Sequence, residues 1–336
     1  MKKNIIDNHN VSWSLFTASF FHYHGVQHAC ISPGGRNSPL TYAFTRQKGI
    51  KCYSHLDERS SAFFALGLSK STQTPVVVIS TSGTAPANFF PAVIEASLSC
   101  VPLIILSADR PNHLIGTGEN QAINQQNLYG SHVRYFKDAG LPIKNLDSLQ
   151  EILQKAINHS KGSNWQNPPG PVHLNVPFDL PLLPDNIQTI ENPQFSFNSF
   201  NRIEKNTANI PVLEQAAKPL IVAGPMEENL HQEDIIRFAE KIQAPILADP
   251  LSQIRYGYQH ELIMAHYDHY LKLVDIHPDL VIRFGRKPTS KVLSQLLDEW
   301  KQQTFLILVN KIILFIIIDW QHVAGAEWSR SSNRKP

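Results

Sequence analysis

The chain has 336 residues, enough for about two domains at roughly 100–200 residues each. Lys plus Arg number 30 against 28 Asp plus Glu, a net charge of +2, which lacks the clustered basic excess of a nucleic-acid-binding surface. A hydrophobic content of 42% excludes disorder, and three cysteines (Cys30, Cys52, Cys100) without a CxxC argue against a disulfide framework or zinc ribbon and for a reducing cytoplasm.

The N-terminal MKKNIIDNHNVSW has no long apolar stretch and no small-residue cleavage site, so no signal peptide is expected. The apolar pattern of Val11–His24 predicts a helix, with Gly25 as its C′ residue. A strand over His28–Ile31 runs into Ser32-Pro33-Gly34-Gly35-Arg36, and a helix starts near Asn37-Ser38-Pro39. Lys51–His55 reads as a strand and Glu58–Lys70 as a helix. Pro75–Ser80 is a buried strand, Thr81-Ser82-Gly83-Thr84 a turn, and Ala85–Ser99 a helix. Pro102–Ser107 is another buried strand, ending at Ala108-Asp109-Arg110-Pro111. A helix over Ser148–His159, with Asp147 as N-cap, and a strand over Val172–Val176 complete the first unit. From Pro177 to about Pro211 prolines and small polar residues mark a linker. A second alternating unit follows: strands at 219–225, 245–249, 279–285 and 305–309, and helices at 232–242 and 291–301. The longest apolar run, Ile312–Ile318, is too short for a membrane span, which needs about 20 residues.

Continuous apolar strands alternating with helices predict parallel sheets covered on both faces. Ligands of such sheets bind beyond the carboxyl ends of the strands, where every polar motif here falls. Each motif also has a plain reading. Gly34-Gly35-Arg36 suits an anion at a helix start, or is an ordinary strand-to-helix turn. Asp57-Glu58 could be a functional acid, or a cap and dipole partner. Thr81–Thr84 could donate hydroxyls to a ligand or form an N-cap cluster. Asp109-Arg110 could be a structural ion pair, and Gly118–Ile123 a solvated loop. GxGxxG, GxxxxGK[ST], HExxH and GxSxG are all absent, which counts against dinucleotide, P-loop, zinc-protease and serine-hydrolase readings.

In order, ISPGGRNSPL (31–40), HLDERSSAFFALGLSK (55–70), TSGTAPANFFPAVIEA (81–96), LSADRP (106–111) and ENQAINQ (119–125) form a more specific pattern. It resembles one family of thiamine-diphosphate enzymes, the 2-succinyl-5-enolpyruvyl-6-hydroxy-3-cyclohexene-1-carboxylate synthases of menaquinone biosynthesis. The resemblance covers roughly residues 10–310 and is weaker over the second unit. It implies a pyrimidine-binding α/β domain over 1–185, a linker over 186–210, a smaller central α/β domain over 211–310 and an atypical tail over 311–336.

The resemblance also implies a reaction: decarboxylation of 2-oxoglutarate and addition of the succinyl carbanion equivalent to isochorismate, with the cofactor as electron sink. By the family pattern Glu58 is the catalytic acid that hydrogen-bonds the cofactor's aminopyrimidine ring. Arg36 and Arg110 match substrate arginines, suited to carboxylates by their forked geometry. Gln121 and its neighbour Asn120 match substrate contacts, and Lys291 matches a central-domain lysine near the substrate. Pro33, Gly34, Gly35 and Thr81, Ser82, Gly83, Thr84 match the wall around the pyrimidine, where many relatives carry Ser in place of Gly35. The magnesium (or manganese) ligands belong to a third, diphosphate-binding domain with a GDG motif. No GDG occurs in these 336 residues, and no metal ligand is assigned in this chain. After Val309-Asn310-Lys311 the text leaves the family pattern, and we expect a frameshift or a truncated gene. Family sites form between subunits, so a homodimer or dimer of dimers is implied, with no nucleic acid. Two other readings remain at this stage: a non-catalytic pyrimidine-domain fragment, and another carboligase such as an acetolactate synthase.

Overall fold

The structure, a computed structural model, describes residues 8–163, 167–185, 195, 216–226 and 232–300, and the backbone of 304–308. The chain divides into two compact units, 1–200 and 201–336. Apart from Phe195, the linker expected over 186–210 lies outside the described residues, as does the tail at 311–336.

In the first unit six strands run in order of sequence: β1 His28–Ile31, β2 Lys51–Ser54, β3 Val76–Ser80, β4 Leu103–Asp109, β5 Tyr135–Asp138 and β6 Val172–Pro177. They form one parallel sheet in the order β2-β1-β3-β4-β6-β5. The central strands are apolar on both faces because both faces are covered. Val77 and Ile79 of β3, with Ile104 and Leu106 of β4, pack among Trp13, Phe16 and Phe20. Val76, Val78, Leu103 and Ile105 face the other way, against Ala62, Ala65 and Phe89. The helices are α1 His9–Tyr23, α2 Ser38–Arg46, α3 Glu58–Thr72, α4 Phe90–Leu98 and α5 Asp147–Lys161. Gly25 follows α1 at φ 92°, with its N–H returned to His22 O, as its position predicts.

Three details depart from expectation. The helix expected over Ala85–Ser99 opens with a 3-10 turn over Pro86–Phe89. Pro91 has no N–H to return to Ala87, so the tighter turn comes first. Asp147 is not the N-cap of α5: Leu146 holds that position, and Asp147 N donates to Asn145 Oδ1 at 2.8 Å. The edge strand β5 was not expected. Tyr-Phe-Lys-Asp is only half buried and lacks a continuous apolar run.

The second unit holds β7 Pro219–Ala223, α6 Gln232–Ile242, β8 Ile246–Ala248, β9 Ile263–Met264, α7 Tyr267–Tyr270, β10 Leu280–Phe284, α8 Lys291–Glu299 and β11 Thr304–Leu308. Its parallel sheet runs β11-β10-β7-β8-β9. Two cores of its own cover the faces, one around Ile235, Ala239 and Ile282, the other around Tyr267, Val281 and Leu293. The two-residue strand β9 and one-turn helix α7 are too short for periodicity to announce. Among the described residues, no helix is long and apolar enough to cross a membrane.

Candidate functional site

A parallel sheet puts the carboxyl ends of all its strands on one edge, so the polar segments after β2, β1, β3 and β4 become neighbours there. The turn after β1 is organised by Asn37, which is fully buried. Its Oδ1 accepts from Gly34 N at 3.0 Å and its Nδ2 donates to Ser32 O at 2.8 Å. Spent on that turn, Asn37 makes no side-chain cap to α2. Gly34 lies against the neighbouring loop: a Cβ there would stand 2.4 Å from Thr81 Cβ. At Gly35 a Cβ would meet open space, so nothing in the backbone surroundings demands glycine.

The segment after β2 separates the two acids at the start of α3. Asp57 is the N-cap, accepting from Ser60 N at 3.1 Å. The Glu58 side chain, half-buried in the first turn, makes no hydrogen bond or ion pair with any described residue. The capping role is thus taken by Asp57 rather than by Glu58.

Thr81–Thr84 follows β3 and meets the 119–125 loop. Ser82 Oγ donates to Gln121 O at 2.9 Å, and Gly83 N donates to Gln125 Oε1 at 2.9 Å. Gly83 has φ 82°, and a Cβ on it would stand 2.7 Å from Gln121 Cγ. Gln121 itself has φ 56°, a left-handed conformation that costs a non-glycine residue about 1 kcal/mol or more and needs such contacts to persist. Asn120 is exposed, and its carbonyl accepts from Arg110 Nη2 at 2.9 Å. Pro33 and Thr84 are exposed, whereas Thr81, Ser82 and Gly83 are buried.

Arg36 is buried, and its Nη1 donates to Phe178 O at 2.8 Å. Burial lowers its pKa, and the Arg110 charge lowers it further, against the opposing pull of Asp179, Glu119 and Asp109. The two arginines therefore feel each other. Arg110 reaches Glu119 at 3.8 Å, the ion pair that its plain reading anticipated, but with a different partner from Asp109. Asp109 is 2% exposed; burial raises its pKa, while Asn175, the Arg110 N–H and Arg36 pull the other way. Lys291 belongs to the second unit, where it is the exposed first residue of α8 behind the Ser290 cap. Among the described residues no group of three or more His, Cys, Asp or Glu could hold a metal.

Asn37, Gln125 and Asn175 were not singled out by their motifs. A signal existed for Asn175: it stands with His173 in a strand otherwise apolar, and parallel core strands admit polar residues only with partners.

The residues present offer groups that an aminopyrimidine ring or a carboxylate could use. Glu58 leaves an unspent acceptor, and Arg110 Nε is buried without a partner among the described residues. Gly34 and Gly83 bring backbone up to Thr81 and Gln121 where a side chain would collide.

Residues 16–128 match the family described as thiamine pyrophosphate enzyme, N-terminal TPP binding domain. The chain is 40% identical over 312 residues to the 2-succinyl-5-enolpyruvyl-6-hydroxy-3-cyclohexene-1-carboxylate synthase of Bacillus pumilus, covering 86% of this chain and 51% of that protein. Synthases of the same name from Halobacterium salinarum (39% over 314 residues, 85% and 53%) and Haloquadratum walsbyi (40% over 340 residues, 89% and 54%) are similar. The chain spans about half the length of these curated relatives. Residues 16–128 thus match the thiamine pyrophosphate enzyme N-terminal domain, within a chain similar over most of its length to 2-succinyl-5-enolpyruvyl-6-hydroxy-3-cyclohexene-1-carboxylate synthases.

Proposed function

We propose that this chain supplies the pyrimidine and substrate side of a thiamine-diphosphate site. The reaction there joins decarboxylated 2-oxoglutarate to isochorismate in cytoplasmic menaquinone biosynthesis. The observation that carries the reading is Glu58: a helix-start acid relieved of capping by Asp57, on the strand-end edge shared with the Gly34–Thr81 and Gly83–Gln121 contacts. Bound thiamine diphosphate supplies an electron sink for carbanion chemistry at a carbonyl carbon. Glu58 holds a proton against a ring nitrogen of the aminopyrimidine. Pro33–Gly35 and Thr81–Thr84 form the wall on which that ring rests. Arg36 and Arg110 hold substrate carboxylates, with Gln121 and Asn120 beside them. Diphosphate and magnesium or manganese are held by a GDG-bearing domain, which makes the complete site a property of a homodimer or larger assembly.

The test joins this chain to the part of the Bacillus pumilus synthase outside the matched region. Carbon dioxide release from 2-oxoglutarate and adduct formation with isochorismate are then measured. We expect turnover that Glu58→Gln lowers at least about a hundredfold while the fold persists, the range of a lost proton-transfer group. Arg110→Lys should weaken use of both anionic substrates, because a point charge does not replace the guanidinium fork. Unchanged turnover in Glu58→Gln removes that residue from the reaction. Activity on pyruvate in place of 2-oxoglutarate moves the chain to the acetolactate branch.

A further inference from the structure

We propose that Gln125 and Asn175 are positioning residues, forming a buried amide relay that sets the Thr81–Thr84 loop in register with the Arg110 segment. Both are almost fully buried, as is Asp109. Gly83 N donates to Gln125 Oε1 at 2.9 Å. Gln125 Nε2 donates to Asn175 Oδ1 at 2.8 Å and to Ala108 O at 3.3 Å. Asn175 Nδ2 then donates to Asp109 Oδ2 and Asp138 Oδ2, each at 2.8 Å. Asp109 Oδ1 closes the path by accepting from Arg110 N at 2.7 Å.

The direction of this path is forced by chemistry. A backbone N–H only donates, so Gln125 must turn its oxygen to Gly83 and its nitrogen to Asn175. Asn175 must turn its nitrogen to the carboxylates, which only accept while ionised. Ser107 Oγ supports the same orientation by donating to Asn175 Oδ1 at 2.9 Å. An amide turned over at either place would set like against like in a dry core, leaving donors and acceptors unpaired at a cost of about 1–3 kcal/mol each. The relay therefore has one low-energy arrangement and ties four segments together: the loop after β3, the 119–125 loop, and the ends of β4 and β6. Its two ends are the ring wall and substrate arginine of the proposed site, so its bearing on binding rests on that reading, whereas its effect on the loop does not.

The test follows amide hydrogen exchange at Gly83 in the 336-residue chain, alongside affinity for thiamine diphosphate with magnesium. Gln125→Leu should speed exchange at Gly83 by about tenfold, the factor of one net hydrogen bond. Asn175→Leu should do the same although Asn175 does not touch Gly83, with Val78 and Leu103 unchanged. Gln125→Glu keeps the acceptor for Gly83 but removes the donor to Asn175 and Ala108, and should speed Gly83 exchange as well. Gly83 exchange unmoved by Asn175→Leu, or as slow in Gln125→Glu as in the wild type, overturns the relay. Should the variants fail to fold, the wild-type chain decides: Gly83 must exchange as slowly as strand amides, and loop-like exchange overturns the proposal. Failure of the wild-type chain to bind thiamine diphosphate counts against the cofactor reading and leaves the exchange result standing.

Discussion

Single residues set the shape of the strand-end edge through close steric contacts. Gly34 and Gly35 are adjacent and look interchangeable in sequence, yet only Gly34 abuts Thr81. Gly34→Ala should lower stability by about 1–3 kcal/mol, the usual cost of overpacking. Gly35→Ala should stay within about 0.5 kcal/mol. Urea denaturation of both variants checks the contrast, and equal costs would mean that the two loops do not touch. At the same scale, the motif at 31–40 gives no sign that Asn37 is the side chain that holds its turn. An asparagine near a helix start is a common turn former, but whether it caps the following helix or folds back depends on where the chain goes next.

The start of α3 separates structure from chemistry within one element. Asp57→Ala should cost about 1 kcal/mol, the typical value of a lost N-cap. Glu58→Gln should leave thermal stability nearly unchanged, since its carboxylate makes no bond with any described residue. Melting curves of the two variants measure this. A large loss in Glu58→Gln would return that acid to a structural role. Other elements were legible where their pattern was long. The central strands Val76–Ser80 and Leu103–Asp109 announce themselves because burial on both faces requires an unbroken apolar run. Strand β5 escaped because an edge strand has one half-wet face, and its polar lysine and aspartate read as loop.

Across the molecule, stability should follow the protonation of a residue far from any solvent. His173 is fully buried, with its Nε2 at 2.7 Å from Ser107 Oγ, and burial pushes its pKa down from 6.5 to about 3. At pH 7 the ring is neutral in both folded and unfolded chains. Below pH 6.5 the unfolded chain takes up a proton that the folded chain refuses until about pH 3, so the stability present at neutral pH is lost as pH falls through that window. The loss is on the order of 4 kcal/mol. His173→Gln, which can still bond Ser107, should flatten that part of the curve when urea denaturation is run from pH 7 to pH 3.5. Parallel curves for the variant and the wild type would show that His173 does not govern the acid limb.

What the amino-acid sequence determined by itself was the inventory: alternating strands and helices, the parallel character of both sheets, and the segments that end on one edge. Apolar runs and strand-end motifs are local properties, so they can be read without knowing what lies across from them. The tertiary structure alone decided which of two neighbouring acids caps a helix and which glycine has room. It also decided where the guanidiniums of Arg36 and Arg110 meet their charges, and how Gln125 and Asn175 join a loop and a strand 50 residues apart in sequence. These depend on pairings between distant segments. Burial makes such polar partners obligatory, while the local pattern carries no record of which partner is chosen.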